Sequence, residues 1–213
     1  MRTEELVAML AQGAGPVERG AAARRFAIAL GCGGLAAAVA MHALYGISPT
    51  LAQDAALSMF WWKLAFVAIV AAAGVAAVRR LARPGAALAR LPWLLIAPVA
   101  VLWLLAAAEL TGATSADRAP LILGQTWQVC SFRIAVLSLP VFAALLWAMR
   151  GLAPTKLRLA GAAAGLCAGG VGALAYSFHC PELAASFLGI WYVIGMLIPT
   201  AVGALVGPLL LRW

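Results

Sequence analysis

The sequence predicts an all-α membrane protein of six transmembrane helices with both termini in the cytoplasm, and three observations predict it. Of 213 residues, 65% are hydrophobic and only 10% charged, with a mean hydropathy of +1.01. A soluble domain with so little polar surface would aggregate, so the bilayer is the natural solvent. Six apolar stretches (26–45, 59–78, 92–110, 131–148, 159–177 and 187–210) each approach the roughly 20 residues a helix needs to cross hydrocarbon. The cations then alternate with these stretches. With cytoplasmic termini, Arg2, Arg19, Arg24, Arg25, Arg79, Arg80, Arg83, Arg90, Arg150, Lys156, Arg158 and Arg212 fall inside, which is 12 of the 15, leaving Lys63, Arg118 and Arg133 outside. The net charge of +8 is therefore topology, not a nucleic-acid patch. A multi-pass protein of the bacterial inner (plasma) membrane is expected, touching lipids and making no direct nucleic-acid contact.

Residues 1–25 form a cytoplasmic tail and 26–213 the transmembrane domain. In the tail, Thr3 can cap a short helix with Glu4 and Glu5 in its first turn. Leu6, Val7, Met9 and Leu10 make one apolar face, and Gly13-Ala14-Gly15-Pro16 stops the helix. A helix that short is marginal alone, so it needs the membrane, the chain's own loops or a partner's groove. Arg24-Arg25 before an apolar run resembles a signal peptide, but the run is too long for an h-region, so the first span is an anchor. Cys32, in Gly31-Cys32-Gly33-Gly34, and Cys167, in Gly165-Leu166-Cys167-Ala168-Gly169, are expected to be small packing residues.

The loops at 79–85 and 150–156 are short and basic, as orientation signals that also attract anionic lipid. The outer loops at 46–58, 111–130 and 178–186 are too small for an independent domain. Gly161, Gly165 and Gly169 in the fifth span, with Gly203 and Gly207 in the sixth, give small-residue faces for close helix approach. Pro98, Pro140 and Pro199 fall within spans and are expected to bend them. Trp61-Trp62, Trp93 and Trp191 suit the membrane interface.

Chemistry must come from few groups. Cys130, in Gln125-Thr126-Trp127-Gln128-Val129-Cys130-Ser131-Phe132-Arg133, and Cys180, in Ser177-Phe178-His179-Cys180-Pro181-Glu182, fall just outside the ends of apolar runs on the outer side. Arg133, one turn beyond Cys130, is placed to favour a thiolate. His179 beside Cys180 gives a set of two sulfurs and one nitrogen, suited to a soft ion such as copper(I) or cadmium. On the residues alone three readings stand: a structural disulfide in an oxidising compartment, a metal or oxidant sensor, or unpaired thiols. Lys63, Glu109 and Arg133 lie near outer span ends, where each can snorkel or pair. No charge crosses the bilayer centre, which weakens proton-coupled transport. No nucleotide fingerprint, zinc-protease motif or serine nucleophile elbow is present in the sequence, and no enzyme activity, obligatory cofactor or small-molecule substrate is expected.

The segments 124–140, 178–182 and 207–213, with the opening Arg2-Thr3-Glu4-Glu5-Leu6, resemble the negative-regulator-of-sigma-F (NrsF) family across nearly the whole chain. The resemblance implies an inner-membrane anti-sigma factor that holds an extracytoplasmic-function sigma factor inactive. It also implies that two outward cysteines, matching Cys130 and Cys180, respond to heavy-metal stress. Residues 1–25 hold neither Cys nor His, so a zinc-bound anti-sigma domain is absent. Sequestration is then expected to use Leu6, Val7, Met9 and Leu10 with the inner arginines. The competing reading is a small transporter, or transporter subunit, for metal or a hydrophobic solute; it requires polar groups meeting at mid-membrane depth.

Overall fold

A computed structural model describes residues 3–13, 20–83, 85, 91–152 and 154–212. The expected features at Arg2, Ala14-Gly15-Pro16, Glu18, Arg19, Arg90 and Trp213 lie outside those residues, as does the side chain of Leu10.

All regular structure in the described residues is helical: α1 (Thr3–Gly13), α2 (Ala21–Tyr45), α3 (Leu51–Asp54), α4 (Ser58–Leu81), α5 (Leu91–Gly112), α6 (Ser115–Leu123), α7 (Trp127–Arg150) and α8 (Leu157–Tyr176). The last span begins as a short α9 (Ala185–Phe187), passes through one π-helical turn at Leu188–Tyr192 and continues as α10 (Val193–Leu210). Among the described residues six helices are long and apolar enough to cross a membrane, in agreement with the six apolar stretches.

The helices outrun those stretches because amphipathic ends cost a helix nothing in hydrogen bonds. Thus α2 begins five residues early, taking in Arg24 and Arg25, and α7 begins at Trp127. Two short helices, α3 and α6, also occupy what reads in the sequence as loop.

The center of the bundle is α8, whose small residues let three neighbours approach its backbone. A Cβ on Gly161 would strike the Gly203 carbonyl, one on Gly165 the Pro199 carbonyl, and one on Gly169 would lie 2.9 Å from Met196 Cα. That face is packed by α10. On another face Gly74 of α4 meets the backbone of Cys167, and Gly170 meets Ala71, so α4 and α8 touch with almost no side chain between them. Gly172 stands against α7 at Ile134 and Ser138. Cys167 is buried in this seam, as expected, whereas Cys32, expected to pack between helices, is exposed on the surface of α2.

Two apolar clusters fill the bundle. One, near the arginines, gathers Phe26, Val78, Leu81, Leu145, Met149, Ala160 and Leu211. The other gathers Met41, Phe66, Cys130, Ile134, Tyr176, Cys180, Phe187 and Tyr192. The bundle therefore has an arginine end and a cysteine end. At the arginine end Arg25 stacks on Trp147 (5.5 Å), and Arg150 Nε donates to the Leu210 carbonyl (2.8 Å). In α1, Leu6, Val7 and Met9 are exposed.

Candidate functional site

Cys130 and Cys180 meet. Cys130 sits in the first turn of α7, and Cys180 in the connection that follows α8; their thiols lie beside one another, and neither is in a disulfide. The sequence places them beyond the apolar runs and open to the outside. The structure keeps them at that end but buries them, with exposures of 0% and 2%. The reason is the connection 178–184, which folds back over the bundle and is tied down from several sides.

Three ties hold it. Gly46, at φ +75, ends α2 with its N–H on the Met41 and His42 carbonyls, and its own carbonyl accepts from His179 Nδ1 (3.1 Å). The Ser48 N–H donates to the Phe178 carbonyl (3.0 Å). Glu182 reaches the start of α7, where its Oε1 accepts from the Gln125 N–H (2.6 Å) and the Thr126 hydroxyl (3.4 Å). Gly124 makes the last tie possible. Its φ is +55, and a Cβ there would lie 2.6 Å from the Glu182 carboxylate, so both backbone conformation and space call for glycine. Thr126 Oγ1 also lies 3.8 Å from Cys180 Sγ, which puts it over the thiol.

A third residue joins the pair from α4. Lys63 is only 1% exposed, and its ammonium donates to the carbonyls of Cys180 (2.8 Å) and Glu182 (3.2 Å) and lies over Phe60 (5.4 Å). The expectation that Lys63 snorkels or pairs with an acid at a span end is corrected here: the residue is inside, and its partners are backbone oxygens. Burying an ammonium without such acceptors would cost several kcal/mol, so the connection and Lys63 hold each other in place.

Arg133 does not serve the thiols. Its Nη1 donates to His179 Nε2 (3.0 Å), and its guanidinium lies 4.8 Å over Tyr45. The cation acting on the pair is Lys63 instead. His179 thus has both ring nitrogens engaged, by Arg133 and by Gly46. The described residues bring together no group of three His, Cys, Asp or Glu side chains placed to hold a metal. The two sulfurs by themselves suit a soft ion in two-fold coordination, because thiolates are soft ligands.

Cys180 is the ionisable member. Its pKa is lowered to about 6, first by the adjacent Cys130 thiol, with help from the Glu182 backbone N–H, the Lys63 charge and Tyr192, and against the effect of burial. A low-pKa thiol is the nucleophilic, metal-binding form. Around it, the buried hydroxyls of Tyr176 and Tyr192 have no hydrogen-bond partner among the described residues, although Tyr192 lies near Cys180 and Ser177.

Glu109, the third charge expected near a span end, is paired: its Oε2 accepts from the Ser186 N–H (3.0 Å) and hydroxyl (2.8 Å). Trp191 Nε1 donates to the Ile122 carbonyl (2.9 Å) and the Ser131 hydroxyl to the Trp191 carbonyl (2.8 Å). These bonds fasten α9 to α5 and the π-helical turn to α6 and α7. Lys63, Thr126 and Glu182 were not expected in the site. The only sequence signal for Lys63 was a lone cation inside an apolar run.

Fold and site together define a helical bundle of the membrane type with one thiol centre set into an end of it. The chain belongs to the family described as Negative regulator of sigma F, NrsF, whose profile matches residues 10–213. It is 50% identical over 213 residues to the probable anti-sigma-F factor NrsF of Azospira oryzae, and 40% identical over 220 residues to the anti-sigma-F factor NrsF of Caulobacter vibrioides, each match covering 100% of both chains. No solved structure matches it. The family is one of regulators, which is the class the sequence favoured over enzyme or transporter.

Proposed function

We propose that this chain is an inner-membrane anti-sigma factor that sequesters a sigma factor of the extracytoplasmic-function type and releases it when Cys130 and Cys180 react. The arginine end faces the cytoplasm, following the cation count, and the cysteine end faces outward. Leu6, Val7 and Met9, exposed on α1, with Leu10, offer an apolar face to the sigma factor, and nearby arginines assist. The observation that carries the reading is the buried thiol pair at the end of the bundle opposite the arginines, in a chain of this family.

The inducing chemistry is a soft metal ion or an oxidant. Both consume thiols, and both replace the non-covalent approach of Cys130 and Cys180 by a covalent or coordinate link of different length and direction. No obligatory cofactor is required, and the metal is a transient signal held by Cys130 and Cys180, with His179 adjacent. Shifting a two-state regulator from 1:99 to 99:1 takes about 5.5 kcal/mol of differential affinity. Two metal–thiolate bonds suffice for that, provided the released state accommodates them better than the resting state.

Co-purification tests the assignment. Full-length chain drawn from untreated membranes should carry a small sigma factor, and membranes exposed to cadmium or peroxide should yield the chain without it. A chain that never carries a sigma factor, under either condition, contradicts the assignment.

A further inference from the structure

We propose that Lys63 is the positioning residue that transmits the state of the Cys130–Cys180 pair to α4, and through α4 to the arginine end. The inference rests on the sensor reading above and adds to it the element that carries the signal.

Three observations carry it. Among the described residues the buried Lys63 ammonium has no carboxylate partner; it is held by the carbonyls of Cys180 and Glu182, the residues flanking Pro181. One of those carbonyls belongs to Cys180 itself, which is buried in the same cluster as Cys130. Lys63 also stands one turn into α4, a continuous helix whose last turn carries Arg79 and Arg80 and whose Val78 and Leu81 belong to the same buried cluster as Phe26 of α2. Between those ends α4 meets α8 backbone to backbone at Gly74 and Cys167 and at Ala71 and Gly170. Such a contact has little side chain to absorb a displacement, so α4 moves as a rod or not at all.

The sequence of events follows. Cadmium at the pair forms two Cd–S bonds as the remaining thiol protons leave to water. Cys180 is drawn toward the metal, and its carbonyl turns from Lys63. The ammonium then loses an acceptor inside an apolar core, and α4 shifts to restore one. Resting repression thus depends on Lys63 being pinned.

The experiment compares Lys63→Met and Lys63→Arg with the unsubstituted chain. Each full-length variant is scored for reporter output of its sigma factor without inducer, for abundance in the membrane, and, after purification in detergent, for the sulfur-to-cadmium charge-transfer absorbance. Lys63→Met should raise uninduced output at least tenfold at normal abundance, gain less than twofold more from cadmium, and still develop the cadmium band. Lys63→Arg, which keeps a charged donor, should restore repression. A Lys63→Met chain that still represses overturns the proposal. So does one whose derepression comes with loss of the cadmium band or of the chain from the membrane, since Lys63 would then serve metal binding or folding alone. Normal induction after replacing both cysteines by serine would instead remove the sensor reading itself, whatever Lys63 does.

Discussion

Replacing Glu182 by alanine should open the cover over Cys180 without disturbing the bundle beneath it. In the resting chain the Glu182 carboxylate accepts from the Gln125 N–H at 2.6 Å and the Thr126 hydroxyl at 3.4 Å, tying the connection after α8 to the start of α7. Hydrogen bonds to charged groups contribute about 1.5–3 kcal/mol each. The first of these is solvent-exposed and the second is long, so the low end, about 1.5 kcal/mol for the tie, is the appropriate figure. Since 1.36 kcal/mol is a factor of ten in an equilibrium, the open fraction should rise about tenfold. Cys180 is 2% exposed, so a maleimide reaches it only through that opening. The assay is the alkylation rate of the Cys180 peptide, read by mass spectrometry on the purified chain, with a soluble cysteine peptide added as the internal standard for reagent activity. Glu182→Ala should label Cys180 about tenfold faster than the unsubstituted chain, with the standard unchanged. Equal Cys180 rates in the two chains would show that the tie does not gate the thiol.

Gly165→Ala should lower the melting temperature in detergent, because its Cβ would strike the Pro199 carbonyl and overpacking of this kind costs about 1–3 kcal/mol; Gly31→Ala, with open space around it, should leave the melting temperature unchanged. The pH profile of Cys180 alkylation should have its midpoint near 6 instead of near 9. The sign follows from a depressed pKa in the folded chain. The thiolate's contribution to stability is complete above the ordinary thiol pKa and is lost as pH falls through about 6. Deleting residues 3–13 should release the sigma factor, read by pull-down, while the Cys180 alkylation rate stays the same.

Much of the fold was legible because hydrocarbon leaves a chain few choices. Twenty apolar residues in a row must be helix, and the six stretches at 26–45 through 187–210 became six long helices. Their ends were less legible: Trp127–Cys130 looks like loop by hydropathy, yet it is the first turn of α7, which is why Cys130 is inside the bundle. The small-residue spacing of Gly161, Gly165 and Gly169 announced a close helix contact but not its partner, since both α4 and α10 carry glycines of their own.

At the site, the identity of the two cysteines was readable and their environment was not. Arg133 is closer in sequence to Cys130 than Lys63 is, and proximity along the chain favoured it. In space Arg133 turns to His179 and Tyr45, while Lys63 arrives from another helix 117 residues away from Cys180. Contacts made across a bundle leave no periodic trace in either segment. The burial of the pair has the same origin: it is produced by the folded-back connection at 178–184, whose ties to Gly46, Lys63 and Gln125 come from three distant parts of the chain.

The measurement closest to the central claim is sigma-dependent reporter output in cells whose chain carries Cys130→Ser and Cys180→Ser together, before and after cadmium. Output should stay at the repressed level in both conditions, because the partner-holding end is intact and the thiols that receive the signal are gone. A rise after cadmium equal to that of the unsubstituted chain would contradict the account.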